Sequence, residues 1–322
     1  MSSEASSTST PHAAIGGQNA QQRFALDLFD RLWQRYRTRV SHVASYEQVV
    51  AQHGGTFAND HIAFRTFACQ QPAVGISSVS RLFEALGYRA AGCYDFPDKH
   101  LSAIHFQHPH PQFPKLFISE LRTWELPEEI RVTIDTVVAR HRDPLDINLL
   151  AALAGLADQE PSQAQYDALL DQAQNWIEQL PWSPPEKREV ELVNQASQYA
   201  AWVLVHGYNV NHFTSLINSH GVGSLADIEK TVAALKAAGI PMKNEIEGQP
   251  GSKLRQTATA AAVIEVDVRE GGREAKMPWT YAYFELAERG TVRDPETGQE
   301  VRFEGFLGPQ ATQLFEMTRL AK

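Results

Sequence analysis

The chain carries one arrangement of elements twice, and this internal repeat limits the possible folds more than any other feature of the sequence. Each copy predicts a strand with a histidine, then a helix that ends at a glycine, and later a strand with a glutamate. The matching residues are His61, Gly87 and Glu120 in the first copy, and His212, Gly239 and Glu285 in the second. Two βαβ-type modules of this kind predict one curved, partly closed sheet whose concave face surrounds a ligand site. Chance recurrence of a strand–helix–strand pattern is the alternative that the sequence leaves open.

Helical patterns precede and separate the two copies, so the predicted fold class is α+β with N-terminal helices and a helical insertion. The N-terminal helices lie within 24–53, and one long helix is expected over 189–207 at the end of the insertion. In the second copy we expect Ser224 to be a helix N-cap, with Asp227 in the capping-box position. The expected organisation is a disordered tail over 1–22, N-terminal helices and the first module over 23–121, the helical insertion over 122–207, and the second module with a C-terminal helix over 208–322.

The charge and composition of the chain exclude several functional classes. The chain has 29 basic and 38 acidic residues, a formal net charge of −9, which disfavours nucleic acid as a partner. No run of about 18 apolar residues predicts a membrane span, and the N-terminus lacks the apolar core of a secretory signal. Cys69 and Cys93 are too few for a disulfide framework or a four-thiolate metal site, so we expect a cytoplasmic protein. The sequence does not indicate an oligomeric state.

The chain lacks the motifs HExxH, GxxxxGK[ST], GxGxxG, GxSxG and CxxC, which disfavours several large enzyme classes. A dispersed set of possible metal ligands remains, and it consists of His61, His212 and Glu285. Two imidazoles and one carboxylate leave open positions on an octahedral ion, which suits non-haem Fe(II) that must bind a substrate and O₂. Structural roles for the two histidines are the alternative at this point.

Arg65 lies on the same face of the predicted first strand as His61, because side chains alternate along a strand. Its planar guanidinium matches a carboxylate group, which makes Arg65 a candidate for binding an acidic substrate. A surface salt bridge is the alternative role for this arginine.

Further candidates for substrate contacts lie in the second copy. Arg255 and Gln256 form a polar cluster before a strand predicted over 259–268. Tyr283 shares a face with Glu285 in a strand predicted over 280–288, and a core aromatic role is its alternative.

Glu120, taken as the counterpart of Glu285, is a candidate fourth ligand, an acceptor for a ligating histidine, or a carboxylate at the rim. We favour the last two roles. His100 is a candidate for the cavity wall. His105, His108 and His110 resemble a metal-binding cluster, although the neighbouring prolines favour an exposed loop.

Six segments together resemble the 2-oxoadipate dioxygenase/decarboxylase family, also called hydroxyglutarate synthase. They are NDHIAFRTF, YDFPDKHLSAIHF, PKLFISEL, NVNHFTSL, SKLRQT and YAYFELAERG, spread over about 55–290. The resemblance implies a fold related to the vicinal-oxygen-chelate superfamily, one Fe(II), and conversion of 2-oxoadipate and O₂ to 2-hydroxyglutarate and CO₂ in lysine catabolism. It also implies that the metal ligands are His61, His212 and Glu285, and that Arg65 binds the substrate.

Two other functions compete with this interpretation. The same architecture could serve another metalloenzyme, namely a glyoxalase-like isomerase or an extradiol dioxygenase. A non-catalytic module that binds a small ligand is the second competitor, although such a module does not require His61, His212 and Glu285 together.

Overall fold

The computed structural model describes residues 10–69, 71–142 and 145–307, which form helices, a seven-stranded sheet and two smaller strand pairs. The helices are α1 (Ala20–Arg39), α2 (Ser41–Gln52), α3 (Ile76–Glu84), α4 (Glu128–Val138), α5 (Ile147–Gly155), α6 (Gln163–Glu178), α7 (Lys187–Ala196), α8 (Gln198–His206) and α9 (Ile228–Ala237). The strands are β1 (Asn59–Phe67), β2 (Arg89–Phe96), β3 (Leu101–Gln107), β4 (Lys115–Leu121), β5 (Val210–Leu216), β6 (Leu254–Ala258), β7 (Val263–Glu270), β8 (Arg273–Thr280), β9 (Glu285–Arg289), β10 (Thr291–Arg293) and β11 (Glu300–Arg302).

The large sheet contains two matching strand groups that meet at its centre. Its order is β2-β3-β4-β1-β5-β9-β6, with β1 parallel to β4, β5 parallel to β9, and β1 antiparallel to β5. In the central pair, His61 lies opposite Thr214 and Ala63 lies opposite His212. An approximate two-fold axis between these pairs therefore relates His61 to His212 and Ala63 to Thr214. The predicted α+β fold with paired modules and a curled sheet is confirmed.

The later strands of the second module differ from the prediction. Strand β6 is part of the large sheet. Most of the strand predicted over 259–268 belongs instead to β7, which pairs with β8 in a separate hairpin. The strand predicted over 280–288 is also wrong in its first half, because β9 begins at Glu285. The preceding segment bonds to a loop instead of a ladder, since Tyr281 N–H donates to the Ala262 carbonyl at 2.8 Å. The structure also adds β2, a strand that the sequence patterns did not indicate.

Two helix boundaries differ from the prediction for the same physical reason. The helix expected over 189–207 is two helices, α7 and α8, separated at Ser197, whose extended backbone allows its hydroxyl to accept from Ala200 N–H at 3.1 Å. The N-cap of α9 is Asp227, which accepts from Lys230 N–H at 2.8 Å, and Ser224 lies outside that helix. Short oxygen-bearing side chains compete with helical hydrogen bonds and so begin new helices.

Part of the segment over 10–22 is buried or helical, which corrects, for these residues, the disordered tail expected over 1–22. His12 is buried, its ring bonding Asp30 of α1 at 2.6 Å and the Asn59 amide of β1 at 2.9 Å. Helix α1 then begins at Ala20, capped by the side chain of Asn19. Residues 1–9 and the expected C-terminal helix over 308–322 lie outside the described residues.

Helices cover the sheet from two directions and leave its concave face for a cavity. Trp33 and Tyr36 of α1 pack edge-on against Phe213 of β5, at ring centroid distances of 5.1 and 5.0 Å. Helix α8 of the insertion packs by Trp202, whose indole N–H donates to the Tyr281 carbonyl at 2.5 Å. In the part of the chain that the structure describes, no helix is both long and apolar enough to cross a membrane.

Candidate metal centre

The fold brings His61, His212 and Glu285 together on neighbouring strands at the middle of the sheet. The Glu285 carboxylate lies between the two imidazoles, with Oε1 3.3 Å from His61 Nε2 and Oε2 3.4 Å from His212 Nε2. One ligand atom from each residue lies within 4.8 Å of the others, and all three side chains are buried. Within the described ranges, this is the group of histidine, cysteine and acidic residues whose geometry could hold a metal ion.

The residue before each histidine orients its ring. His61 Nδ1–H donates to Asp60 Oδ2 at 2.8 Å, and His212 Nδ1–H donates to Asn211 Oδ1 at 3.0 Å. A register shift between Asn59 and His61 in the β1–β5 ladder allows adjacent side chains to meet. A hydrogen bond at Nδ1 directs Nε2 of each ring toward the cavity, as in metal-ligating histidines, and the Thr214 hydroxyl lies 3.0 Å from His61 Nε2.

Asp60 is held in turn by Arg289 of β9. The guanidinium donates to Asp60 through Nε at 2.5 Å and Nη2 at 2.7 Å. Burial alone would raise the pKa of Asp60, but Arg289 outweighs it and holds that pKa well below its usual range. The second Arg289 Nη atom donates to the Phe303 and Gly305 carbonyls at 2.9 and 2.8 Å. One arginine therefore fixes both the anchor of His61 and the chain segment that carries Phe306.

The Glu285 carboxylate is incompletely satisfied by protein donors. Gln256 Nε2–H donates to Oε1 at 2.5 Å, whereas Oε2 is buried without a hydrogen-bond partner among the described residues. Burial, and then the nearby charge of His61, hold the pKa of His212 well below its usual range, so its imidazole is neutral. The pKa of His61 is lowered by burial but raised overall by Asp60 and Glu285. A buried carboxylate oxygen beside two imidazole nitrogens fits a divalent cation, because a cation would satisfy all three atoms.

The group opens into a small cavity on the concave face, with about 30 Å³ of interior space accessible to water. Its wall is largely apolar, with a few polar groups at its inner end. The lining residues are His61, Ala63, Phe64, Arg65, Phe117, Ser119, Asn211, His212, Gln256, Tyr283, Glu285 and Phe306. A mostly apolar wall with a few convergent polar groups is typical of small-molecule sites.

Arg65 is the cation of this cavity and is only 2% exposed. Its guanidinium lies over the rings of Tyr199 and Trp202 in α8, 4.9 and 5.4 Å from their centroids. Burial lowers its pKa, and the hydroxyl of Tyr283 acts in the opposite direction by accepting from the guanidinium. Tyr283 also stacks on His212 with ring centroids 4.7 Å apart, so it connects Arg65 to the proposed ligands.

The structure does not bring Arg255 into this cavity. Its neighbour Gln256 points into the cavity, so Arg255 lies on the other face of β6 and pairs with Glu229. Arg255 is therefore not a lining residue. His100 pairs with Glu125 at 2.9 Å, also outside the lining. His105 contacts Tyr94 at 2.9 Å rather than the other loop histidines, so the suggested second metal cluster does not form among the described residues.

Glu120 is not the counterpart of Glu285, which corrects the pairing taken from the sequence. It accepts from Ile76 N–H, the first residue of α3, at 2.7 Å. Glu288 accepts from Ile228 N–H, the first residue of α9, also at 2.7 Å. The two modules therefore match Glu120 with Glu288, as carboxylates that cap the equivalent helix.

Sequence reasoning missed four contributors to the site: Asp60, Asn211, Arg289 and Phe306. An oxygen-bearing residue directly before each histidine is a signal that the sequence offers for the first two. Arg289 and Phe306 have no such signal, because their contacts with the first module depend on the tertiary fold.

The curled sheet of paired modules and the buried His–His–Glu group define a protein of the glyoxalase-like fold class with a site able to hold a metal ion. The sequence profile of the family described as 2-oxoadipate dioxygenase/decarboxylase matches residues 28–300. The chain therefore belongs to this family.

Individual relatives agree with this assignment. A chloroplastic 2-oxoadipate dioxygenase/decarboxylase from Arabidopsis thaliana is 28% identical over 278 residues, covering 80% of this chain and 67% of that protein. A protein from Ralstonia eutropha JMP134 described under the glyoxalase superfamily has a TM-score of 0.77 at 22% identity, covering 90% of this chain and 88% of its own. Hydroxyglutarate synthase from Oryza sativa, solved with 2-oxoadipate, has a TM-score of 0.73 at 23% identity, with 94% of each chain covered. The two structural likenesses show the shared fold.

Proposed function

We propose that this protein is an Fe(II)-dependent dioxygenase that converts 2-oxoadipate and O₂ to 2-hydroxyglutarate and CO₂. The observation that carries the proposal is the buried His–His–Glu group at the end of a cavity that also contains one buried arginine. Family membership and the relatives named for 2-oxoadipate support the substrate. Three protein ligands suit Fe(II) that must also bind substrate and O₂.

The proposed ligands are His61, His212 and Glu285. If bound there, Fe(II) would bind the 2-oxo acid group and O₂ and would supply the electrons that start O₂ reduction. Asp60 and Asn211 keep both imidazole Nε2 atoms directed at the metal position. This support fixes the ring orientations before substrate arrives, which is how residues behind a metal site contribute to it.

Arg65 binds the distal carboxylate of the substrate in this proposal. Its planar fork can donate to both carboxylate oxygens, and the rings of Tyr199 and Trp202 lie against the guanidinium and hold it in place. Holding the distal end fixes the distance between the substrate chain and the reacting oxygen. Such positioning favours hydroxylation of the shortened chain over release of unhydroxylated glutarate.

The reaction balances without another reductant. Oxidative loss of the first carbon as CO₂ provides two electrons, and hydroxylation of the remaining chain provides two more, which together reduce one O₂. The protein supplied with Fe(II), 2-oxoadipate and O₂ should therefore release one CO₂ for each O₂ consumed, measured with an oxygen electrode and CO₂ trapping. With ¹⁸O₂, one label should enter the new hydroxyl group and one the new carboxylate, apart from exchange with water.

Other outcomes of this assay identify the competing functions. Turnover without O₂ uptake would indicate an isomerase, and uptake without CO₂ would indicate a ring-cleaving dioxygenase. Glutarate as the main product would show that 2-oxoadipate is the wrong substrate for this cavity.

The ligand assignment is tested by metal content. His61→Ala, His212→Ala and Glu285→Ala should each remove most of the bound metal, whether Fe or a surrogate such as Ni, Co or Zn, as measured by elemental analysis. His108→Ala is the matched control, because His108 stacks on Phe113 away from the cavity lining. Full metal content in any of the three ligand variants would contradict the assignment.

A further inference from the structure

The two-fold relation between the modules also identifies the residue of the first module that is equivalent to Glu285. In the second module, Glu285 of β9 pairs with Thr214 of β5. In the first module, the equivalent strand β4 places Phe117 beside Ala63 of β1. Since Ala63 and Thr214 are related by the central pairing, Phe117 occupies the position that Glu285 occupies in its own module.

The helix caps confirm this correspondence independently. Glu120 lies three residues after Phe117, and Glu288 lies three residues after Glu285. Both carboxylates accept from the first N–H of the equivalent helix at 2.7 Å. The match between the modules therefore holds on both faces of the sheet, with caps on the helix side and Phe117 or Glu285 on the cavity side.

The two-fold axis therefore relates one histidine of the cavity to the other, but it relates the carboxylate of Glu285 to the ring of Phe117. His61 and His212 are related to each other, but the carboxylate on one side faces an aromatic ring on the other. Phe117 is 6% exposed, lines the cavity, and packs on Phe306 with ring centroids 4.9 Å apart. Phe306 in turn contacts the His61 ring at 4.9 Å. The side of the cavity related to Glu285 therefore presents aromatic rings, with His105 of β3 beside Phe117, and no fourth His, Cys, Asp or Glu of the described residues joins the group of His61, His212 and Glu285.

We propose that Phe117 determines the reactivity of this centre by occupying the place of a fourth protein ligand, which leaves that side of the metal to substrate and O₂. A carboxylate or imidazole at position 117 would reach toward the same point as Glu285, because the two positions are related by the two-fold axis. Phe117 is thus the residue whose identity decides whether the site has three protein ligands or four. This inference rests on the proposed metal site.

The test introduces a donor at position 117 and compares it with non-donors of similar size. Phe117→Glu and Phe117→His supply a ligand, whereas Phe117→Leu and Phe117→Ile are the matched controls. Each variant is loaded with Co(II), whose visible absorption reports coordination, and its cobalt affinity is measured by competition with a chelator. The His variant keeps the test valid if a buried carboxylate prevents folding of the Glu variant, because a neutral imidazole is cheaper to bury.

We expect at least one donor variant to bind Co(II) at least about 10-fold more tightly than the wild-type protein and the two controls. In that variant, 2-oxoadipate should no longer change the cobalt spectrum, although it changes the spectrum of the wild type and of Phe117→Leu. Unchanged affinity and an unchanged response to 2-oxoadipate in both donor variants would overturn the inference. Failure of the wild type to oxidise 2-oxoadipate would overturn the proposed function instead, since the gain in cobalt affinity does not depend on turnover.

Discussion

Arg65 combines a permanent charge with nearly complete burial, and its surroundings determine what it can bind. The guanidinium lies over two aromatic rings of α8 and beside the Tyr283 hydroxyl. Although burial lowers its pKa, an arginine remains charged at neutral pH. In so dry an environment, a substrate carboxylate gains a strong charge-assisted interaction with the guanidinium fork.

Replacing Arg65 should therefore affect acidic substrates selectively. Arg65→Met should lower kcat/KM for 2-oxoadipate by about 100-fold, through loss of a charge-assisted contact and of positioning. Arg65→Lys should restore activity only partly, because an ammonium lacks the planar fork. Steady-state kinetics on 2-oxoadipate and on 2-oxohexanoate, which has no distal carboxylate, measure the effect. An equal loss on both substrates would contradict the role of Arg65.

The sequence predicted the candidate residues that line the cavity better than the residues that hold them in place. His61, His212, Glu285, Arg65, Gln256 and Tyr283 all line the cavity. Arg255 does not, because alternation along β6 directs it to the opposite face from Gln256. Arg289 could not be predicted, since its partner Asp60 is 229 residues away in the chain.

At the scale of elements, the two modules use one device to fix a helix against the sheet. A carboxylate near the end of β4 accepts from the first N–H of α3, and a carboxylate in β9 does the same for α9. Each contact satisfies a helix N–H that has no intrahelical partner and places a negative charge at the positive end of the helix dipole.

Removing either cap should reduce stability without altering the metal site. Glu120→Ala and Glu288→Ala should each lower the free energy of unfolding by about 1 kcal/mol, the usual value for loss of a capping side chain. Urea denaturation followed by circular dichroism measures this loss, and elemental analysis measures metal content. Glu191→Ala, an exposed change in the middle of α7, is the control and should leave both quantities unchanged. Loss of metal in Glu120→Ala would revive the idea that Glu120 is a ligand.

Element types followed from the sequence, whereas boundaries depended on competing hydrogen bonds. Apolar periodicity indicated helices over the insertion, but Ser197 ends one helix and begins another because its hydroxyl replaces a backbone acceptor. Similarly, alternation predicted a strand through Tyr283, yet that segment bonds to a loop and enters the ladder only at Glu285. Periodicity reports which side chains are buried, and it does not report where backbone partners lie.

At the scale of the molecule, the insertion and the paired modules depend on each other. Helix α8 supplies the aromatic rings around Arg65, and it is tied to the segment before Tyr283 by two bonds from buried side chains. The Trp202 indole N–H donates to the Tyr281 carbonyl, and His206 Nε2–H donates to the Thr280 carbonyl at 2.9 Å. These two bonds form a junction between the helix that contacts Arg65 and the segment that carries Tyr283, and both residues line the cavity.

His206 makes that junction sensitive to acid. Burial lowers its pKa to about 3, so it is neutral in the folded protein at pH values where an unfolded histidine, with a pKa of about 6.5, takes up a proton. The unfolded state then binds more protons, and stability falls as the pH decreases from about 6.5 toward 3. For this one residue the loss amounts to about 2 kcal/mol at pH 5.

His206→Gln retains a donor for the Thr280 carbonyl but does not titrate. Urea denaturation at pH 7.5 and pH 5 should therefore show a stability difference about 2 kcal/mol smaller in His206→Gln than in the wild type. Metal release and the other buried histidines affect both proteins alike, so equal differences in the two proteins would show that His206 is not the group that opens the junction.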